Sequence, residues 1–208
     1  MTTIVKYRSN EEIREKADEI RCSPELVGHN IPPIDVFYLA EVILKLDIIP
    51  LRNLLVDQHI DAALLPDLSG FYIDEEAYLS WEAGQAWVEQ RLRFSFAHEL
   101  GHYFLHKDEI LGNQFRSVED FRMWAKAREK YANAEYQADE FAGRLLVPCE
   151  MLLAAYDGYY MQAQQADPSW REIEGMREHL ARKIAPKFGV NHQVIEVRFD
   201  REGIWPAE

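Results

Sequence analysis

His98-Glu99-Leu100-Gly101-His102 sits inside an apolar run, with Arg91 to Ala97 before it and Tyr103 to His106 after it, and this setting constrains the fold most. The run contains no proline and is apolar on nearly every side, the pattern of a buried helix rather than a surface one. Residues i and i+4 of a helix share a face, so His98 and His102 can direct their rings at one ion. Glu99 then points about a quarter turn away. Imidazoles and a carboxylate inside a buried helix are unfavourable unless paired or ligated, and a divalent cation relieves that penalty. Gly101 is a poor residue for mid-helix, by about 1 kcal/mol against alanine. Its missing side chain leaves room beside a metal or lets another backbone approach. The plainer reading is a buried helix whose histidines hydrogen-bond to backbone groups.

The pattern H-E-x-x-H is that of zinc peptidases. Zinc in a hydrolase takes three protein ligands and keeps one position open. The best third ligand is Glu135, in Ala134-Glu135-Tyr136-Gln137-Ala138-Asp139-Glu140-Phe141-Ala142, which reads as a helix running through Leu146 and stopping before Pro148. Glu135, Ala138, Asp139, Ala142 and Leu146 share one face of it, and the alanines would let it press against the metal helix. Asp139, one turn on, can accept a hydrogen bond from the distal nitrogen of a ligand histidine and fix its tautomer. A solvated acidic face is the alternative for this segment. His106 cannot easily serve the same ion as His98, because eight helical residues span about 12 Å. It reads as a residue at the helix C-terminus, near the negative end of the dipole, or as a lining residue. His29, His59, His179 and His192 have no ligand-like spacing.

Two stretches carry a resemblance: Arg93 to His106, and Glu135 to Ala142 leading into Leu145-Leu146-Val147-Pro148. Weaker similarity runs from Ile34-Asp35-Val36 through Phe71-Tyr72-Ile73-Asp74, and at Phe188-Gly189-Val190, so that residues 32 to 200 are covered. In these the chain resembles the ImmA/IrrE-type metallo-endopeptidase family. The resemblance implies an α+β, zincin-like fold, one zinc ion per chain and cytoplasmic proteolysis. It further implies that helix-turn-helix repressors of mobile-element or stress genes are cleaved. Carried over by position, His98, His102 and Glu135 are the metal ligands and Glu99 the general base. Two departures stand out. The stretch Lys107 to Asn133 makes a longer insert than a minimal site needs and is expected to cover or shape the cleft. Gln137 stands where relatives often carry a second glutamate.

The formal net charge of −13 makes direct binding to nucleic-acid phosphates a poor expectation, and a partner with a basic surface a better one. Cys22 and Cys149 are too few for a disulfide framework, which fits a reducing cytoplasm. The first ten residues lack a signal-peptide apolar core and no 18-residue apolar run occurs, so no membrane association is expected. With 48% hydrophobic residues the chain is expected to form a single domain over 1–208: an N-terminal helix and connector (1–33), a metal-binding core (34–148) and a helical C-terminal part (149–208).

The expected fold is mostly helical, with a small antiparallel sheet before the metal helix. Ser9 or Asn10 caps a helix to Arg21, and Asp35 caps another over Val36 to Leu46. Strands are expected at Asp47–Leu51, with Pro50 suggesting an edge, and at Ala62–Leu65 and Gly70–Ile73 around a turn. Helices follow from Cys149 to Tyr156, Trp170 to Lys187 and Asn191 to Arg198. If Phe71-Tyr72-Ile73 lay at a sheet edge it could hold an extended substrate by main-chain bonds; as an inner strand it is simply core. Trp81, Trp87 and Trp124 are cleft or core residues. The segment Leu180 to Val190 resembles the start of a helix-turn-helix, but Pro186 and the acidity argue against groove docking.

The residues thus predict zinc-dependent peptide-bond hydrolysis, with Glu99 moving the proton. Tyr103, Tyr136 and His179 qualify by type as oxyanion donors, with none singled out. The rival is a non-catalytic zinc-containing regulatory module that binds a repressor or DNA. The ligand set also suits other divalent metals.

Overall fold

The computed structural model describes residues 5–82, 84, 86–113, 120 and 128–205. It is α+β and mostly helical, with one three-stranded sheet ahead of the long central helix. Helix α1 (Asn10–Arg21) begins at a capping box: Ser9 accepts the Glu12 N–H while Glu12 accepts the Ser9 N–H. Ile13, Ala17 and Ile20 form its buried face. Asp35 caps the next helical segment by accepting the Tyr38 N–H at 2.9 Å, and Tyr38–Ile43 winds as a wide π-helical turn.

Strands β1 (Asp47–Leu51), β2 (Ala62–Leu64) and β3 (Gly70–Asp74) lie in the order β1-β3-β2. β2 runs antiparallel to β3, as the tight turn between them dictates. β1 pairs parallel with β3, so the sheet is mixed where antiparallel pairing was expected throughout. The chain leaves β1 through α2 (Leu54–Gln58) and β2 before returning to the centre, and this detour gives β3 the direction of β1. β1 is largely exposed and carries Pro50, as suits an outer strand.

After α3 (Glu75–Glu82) comes α4 (Ala86–Leu105), then α5 (Lys107–Asn113), α6 (Arg128–Leu146), α7 (Cys149–Ala166), α8 (Met176–Phe188) and α9 (His192–Arg201). Helix α4 is the axis of the core: Leu92, Phe96, Ala97 and Leu100 have no exposed surface, and Phe96 packs between Phe37 and Phe71, each ring centroid 4.6 Å away. Helix α7 runs past Tyr156 to Ala166, and the helix expected from Trp170 instead starts at Met176, after a break at Gly175 with φ of +76°. Gly189 ends α8 at φ +61°, and an added Cβ there would meet Pro33 at 2.9 Å and Arg93 at 3.0 Å. The turn between α8 and α9 is therefore seated on the helix that carries His98, and α9 buries Arg198 against α6. Among the described residues no helix is long and apolar enough to cross a membrane.

Most of the insert between α5 and α6, with Trp124 and the side chain of Trp87, lies outside the described residues. Trp81 packs edge-on against Phe37 and under the Arg93 guanidinium, as a core residue would.

Candidate metal centre

Two helices build the site because both are small where they cross. A Cβ on Gly101 would lie 2.9 Å from the Ala138 Cα and 3.0 Å from its carbonyl oxygen. Gly101 therefore serves close backbone approach: it lets α6 rest directly on α4, one residue from His102. At that spacing Glu135, one turn before Ala138 on α6, reaches over both histidines.

The His98 and His102 Nε2 atoms stand 3.2 Å apart. Glu135 spans them, with one carboxylate oxygen 3.5 Å from each ring nitrogen. Ligands held about 2.0–2.1 Å from a tetrahedral zinc are separated by about 3.3–3.4 Å, so these three side chains fit one such ion. Among the described residues these are the side chains whose ligand atoms converge in this way, all within 4.8 Å. The Asp139 carboxylate accepts the Nδ1–H of His98 at 2.7 Å, which turns the Nε2 toward Glu135.

The electrostatics show a cluster short of positive charge. Burial opposes a charged His98, yet hydrogen bonds to Asp139 and Glu135 outweigh it and raise its pKa to about 10. Burial likewise opposes ionised Glu135, but hydrogen bonds from His102 and His98 hold it well below the usual carboxylate range. Without a metal, then, a proton on His98 occupies the place a cation would take.

Glu99 sits on the other side of the histidine pair. One of its oxygens, Oε2, accepts the N–H of Leu64 at 2.8 Å. Antiparallel pairing turns alternate residues of β2 toward β3, and Leu64 turns outward, so β2 is the sheet edge that faces the site. Phe71-Tyr72-Ile73, considered above as a substrate-holding edge, lies in the central strand β3 with a partner on either side. That edge position belongs to β2.

Two further residues surround the candidate metal ligands: His106, read from the sequence as a helix-end or lining residue, and Gln137, read only as a departure from relatives. His106, wholly buried just past the end of α4, places its Nδ1 3.0 Å from the His102 Nδ1. Its Nε2 lies 3.3 Å from the Gln137 Oε1. Burial, then the nearby His102, push its pKa down to about 2, so it is a neutral imidazole. The eight-residue distance from His98 makes His106 unfit for the ion, while its four-residue spacing from His102 brings the two rings together, and this was the available signal. Of the residues weighed as oxyanion donors, Tyr136 is engaged with Asn10, its hydroxyl donating at 2.8 Å, and His179 is exposed on α8.

In comparison with known protein families, residues 88–200 match the peptidase family described as the IrrE N-terminal-like domain. The matched span begins in the first turn of α4 and ends in the last turn of α9, so it holds all five residues of the site. No curated protein matches the chain.

Proposed function

Because the chain belongs to the peptidase family of the IrrE N-terminal-like domain, we propose that it is a zinc-dependent endopeptidase that cuts a cytoplasmic helix-turn-helix repressor and so relieves transcriptional repression. Family membership by itself gives a metallopeptidase-like function; zinc, the repressor and its regulatory role are the further reading. The convergence of His98, His102 and Glu135 on one point, with Glu99 beside it, carries the proposal.

When bound, zinc supplies Lewis acidity and makes water nucleophilic at neutral pH. The residues around it do the rest. Leu64 holds Glu99 Oε2, which leaves Oε1 to take the proton from the attacking water and return it to the leaving amine nitrogen. Asp139 keeps His98 oriented throughout. The formal charge of −13 suits a substrate with a basic, DNA-binding face.

The test is to mix zinc-loaded protein with purified helix-turn-helix repressors encoded near its gene and follow fragments by mass spectrometry. Discrete cleavage that stops with chelator is expected. A stable complex with an uncut repressor would instead favour a non-catalytic zinc module.

A further inference from the structure

We propose that the N-terminal segment around Lys6 is a working part of the metal centre, acting through His106 and Gln137 as positioning residues that fix the tautomer of His102. The inference rests on reading His102 as a metal ligand.

The reasoning starts at the far end, where the chemistry leaves no choice. The Lys6 carbonyl can only accept, so the Gln137 Nε2 donates to it at 3.1 Å. This turns the Gln137 Oε1 inward, where it accepts from the Arg8 guanidinium at 3.4 Å and faces the His106 Nε2 at 3.3 Å. An amide oxygen has no hydrogen to give, so the hydrogen of that contact belongs to the His106 Nε2. His106 is wholly buried between an imidazole and an amide oxygen, a setting that disfavours a charged ring, so its Nδ1 is a lone-pair acceptor. Opposite it at 3.0 Å stands the His102 Nδ1, which must therefore carry a hydrogen. Its Nε2, the atom that faces Glu135 and His98, is thereby the nitrogen kept for a metal. Every donor in the sequence His102, His106, Gln137, Lys6 points away from the metal centre, and a backbone carbonyl terminates it.

The terminus is itself held in place. The Lys6 N–H donates to the Glu109 carboxylate at 3.1 Å, and the Arg8 guanidinium bridges Glu109 and the Lys6 carbonyl. Glu109 lies on α5, directly after His106. Gln137 and His106 have no exposed surface, so water cannot replace either bond without opening the core. His98 is oriented by a half-exposed carboxylate on its own doorstep, whereas His102 is oriented by a buried chain that ends outside the matched family span.

The first test needs no variant. Long-range proton–nitrogen NMR of the zinc-loaded, nitrogen-labelled full chain should show His106 protonated only on Nε2 and His102 carrying hydrogen on Nδ1. A His106 protonated on Nδ1 would overturn the proposal. The second test compares zinc affinity by chelator competition. His106→Phe keeps the ring volume without an acceptor, and Gln137→Met keeps the volume without the amide; each should weaken zinc binding by about 10–100-fold. His106→Asn places an acceptor oxygen near the lost Nδ1 and should restore most of the affinity. Affinities equal to wild type in both His106→Phe and Gln137→Met would refute the role of the chain. Absence of zinc from the wild-type protein would instead remove the ligand assignment on which the inference stands.

Discussion

Glu140 and Glu135 stand five positions apart on α6, and the groups that answer them differ in kind. Glu140 is buried and meets the Arg144 Nε at 2.7 Å and the Arg198 Nη1 at 2.9 Å, while Glu202 closes the group by pairing with both arginines. Two carboxylates face two buried guanidiniums that never lose their charge, and the Arg201 Nε lies 3.7 Å from Glu140 beside them. These pairs tie α9 to α6. Among the described residues Glu135 and Asp139 pair with imidazoles, and the Glu99 carboxylate also acts on His98. Their counter-charge is a proton on His98, which a dication can displace. One helix thus carries a permanently paired cluster that holds the fold and an exchangeable one suited to chemistry.

Substitutions on the two faces should separate these roles. The largest effect is expected from Glu99→Gln, which should lower turnover by about 10²–10⁴-fold while leaving zinc content and unfolding midpoint unchanged. Retained activity in this variant would take Glu99 out of the mechanism. Next, Glu140→Ala removes one of the two carboxylates that answer the buried guanidiniums and should lose up to about 3–5 kcal/mol in urea unfolding. Its folded fraction should still bind zinc. Glu135→Ala should do the reverse. Its side chain is partly exposed, so the metal-free protein should lose less stability than in Glu140→Ala. Zinc affinity should fall by more than the roughly 10–100-fold attached to an outer hydrogen-bond partner. If both variants damaged fold and metal binding equally, the distinction between the faces would fail.

The close crossing of α4 and α6 gives a smaller contrast. Gly101→Ala improves helix propensity by about 1 kcal/mol but drives a methyl into Ala138, at a cost of about 1–3 kcal/mol, so a net loss of stability and of zinc is expected. Gly158→Ala, in α7, meets nothing within 4 Å and should stabilise by up to about 1 kcal/mol. Thermal melts of the pair, with zinc titrations, check this.

The pH dependence is subtler. In metal-free protein the His98 pKa of about 10 stands above its ordinary 6.5, so its contribution to stability is complete below the lower value and disappears as pH rises through the higher. Zinc requires the neutral ring. At pH 7 zinc uptake should therefore release about one proton from His98, and apparent affinity should rise with pH toward 10. Calorimetry in two buffers of different ionisation enthalpy measures the count; none released would mean that His98 is already neutral.

The helices around the site were legible in the sequence wherever the signal was local. Ser9 with Glu12, and Asp35 ahead of Val36, are capping patterns three residues long, and both are made. The helix expected from Trp170 is a short turn that ends at Glu172, and the long helix starts only after the left-handed Gly175; a lone glycine reads ambiguously in a helical pattern. The sheet was legible as three strands but not as a mixed sheet, because alternation marks a strand and carries no record of its neighbours.

What the sequence determined by itself is the set of relations within one helix: His98 beside His102, Glu135 in line with Asp139, and Gly101 and Ala138 as the small residues of the two segments. Helical geometry repeats every 3.6 residues, so spacing alone specifies which side chains share a face. What only the tertiary structure decided is which groups meet from distant parts of the chain. Leu64 reaches Glu99 across 35 positions, His106 reaches Gln137 across 31, and Gln137 reaches Lys6 across 131. No local pattern encodes those meetings. They follow from packing α4 against β2 on one side and against α6 on the other, where each buried polar atom takes whatever partner the packing brings within reach.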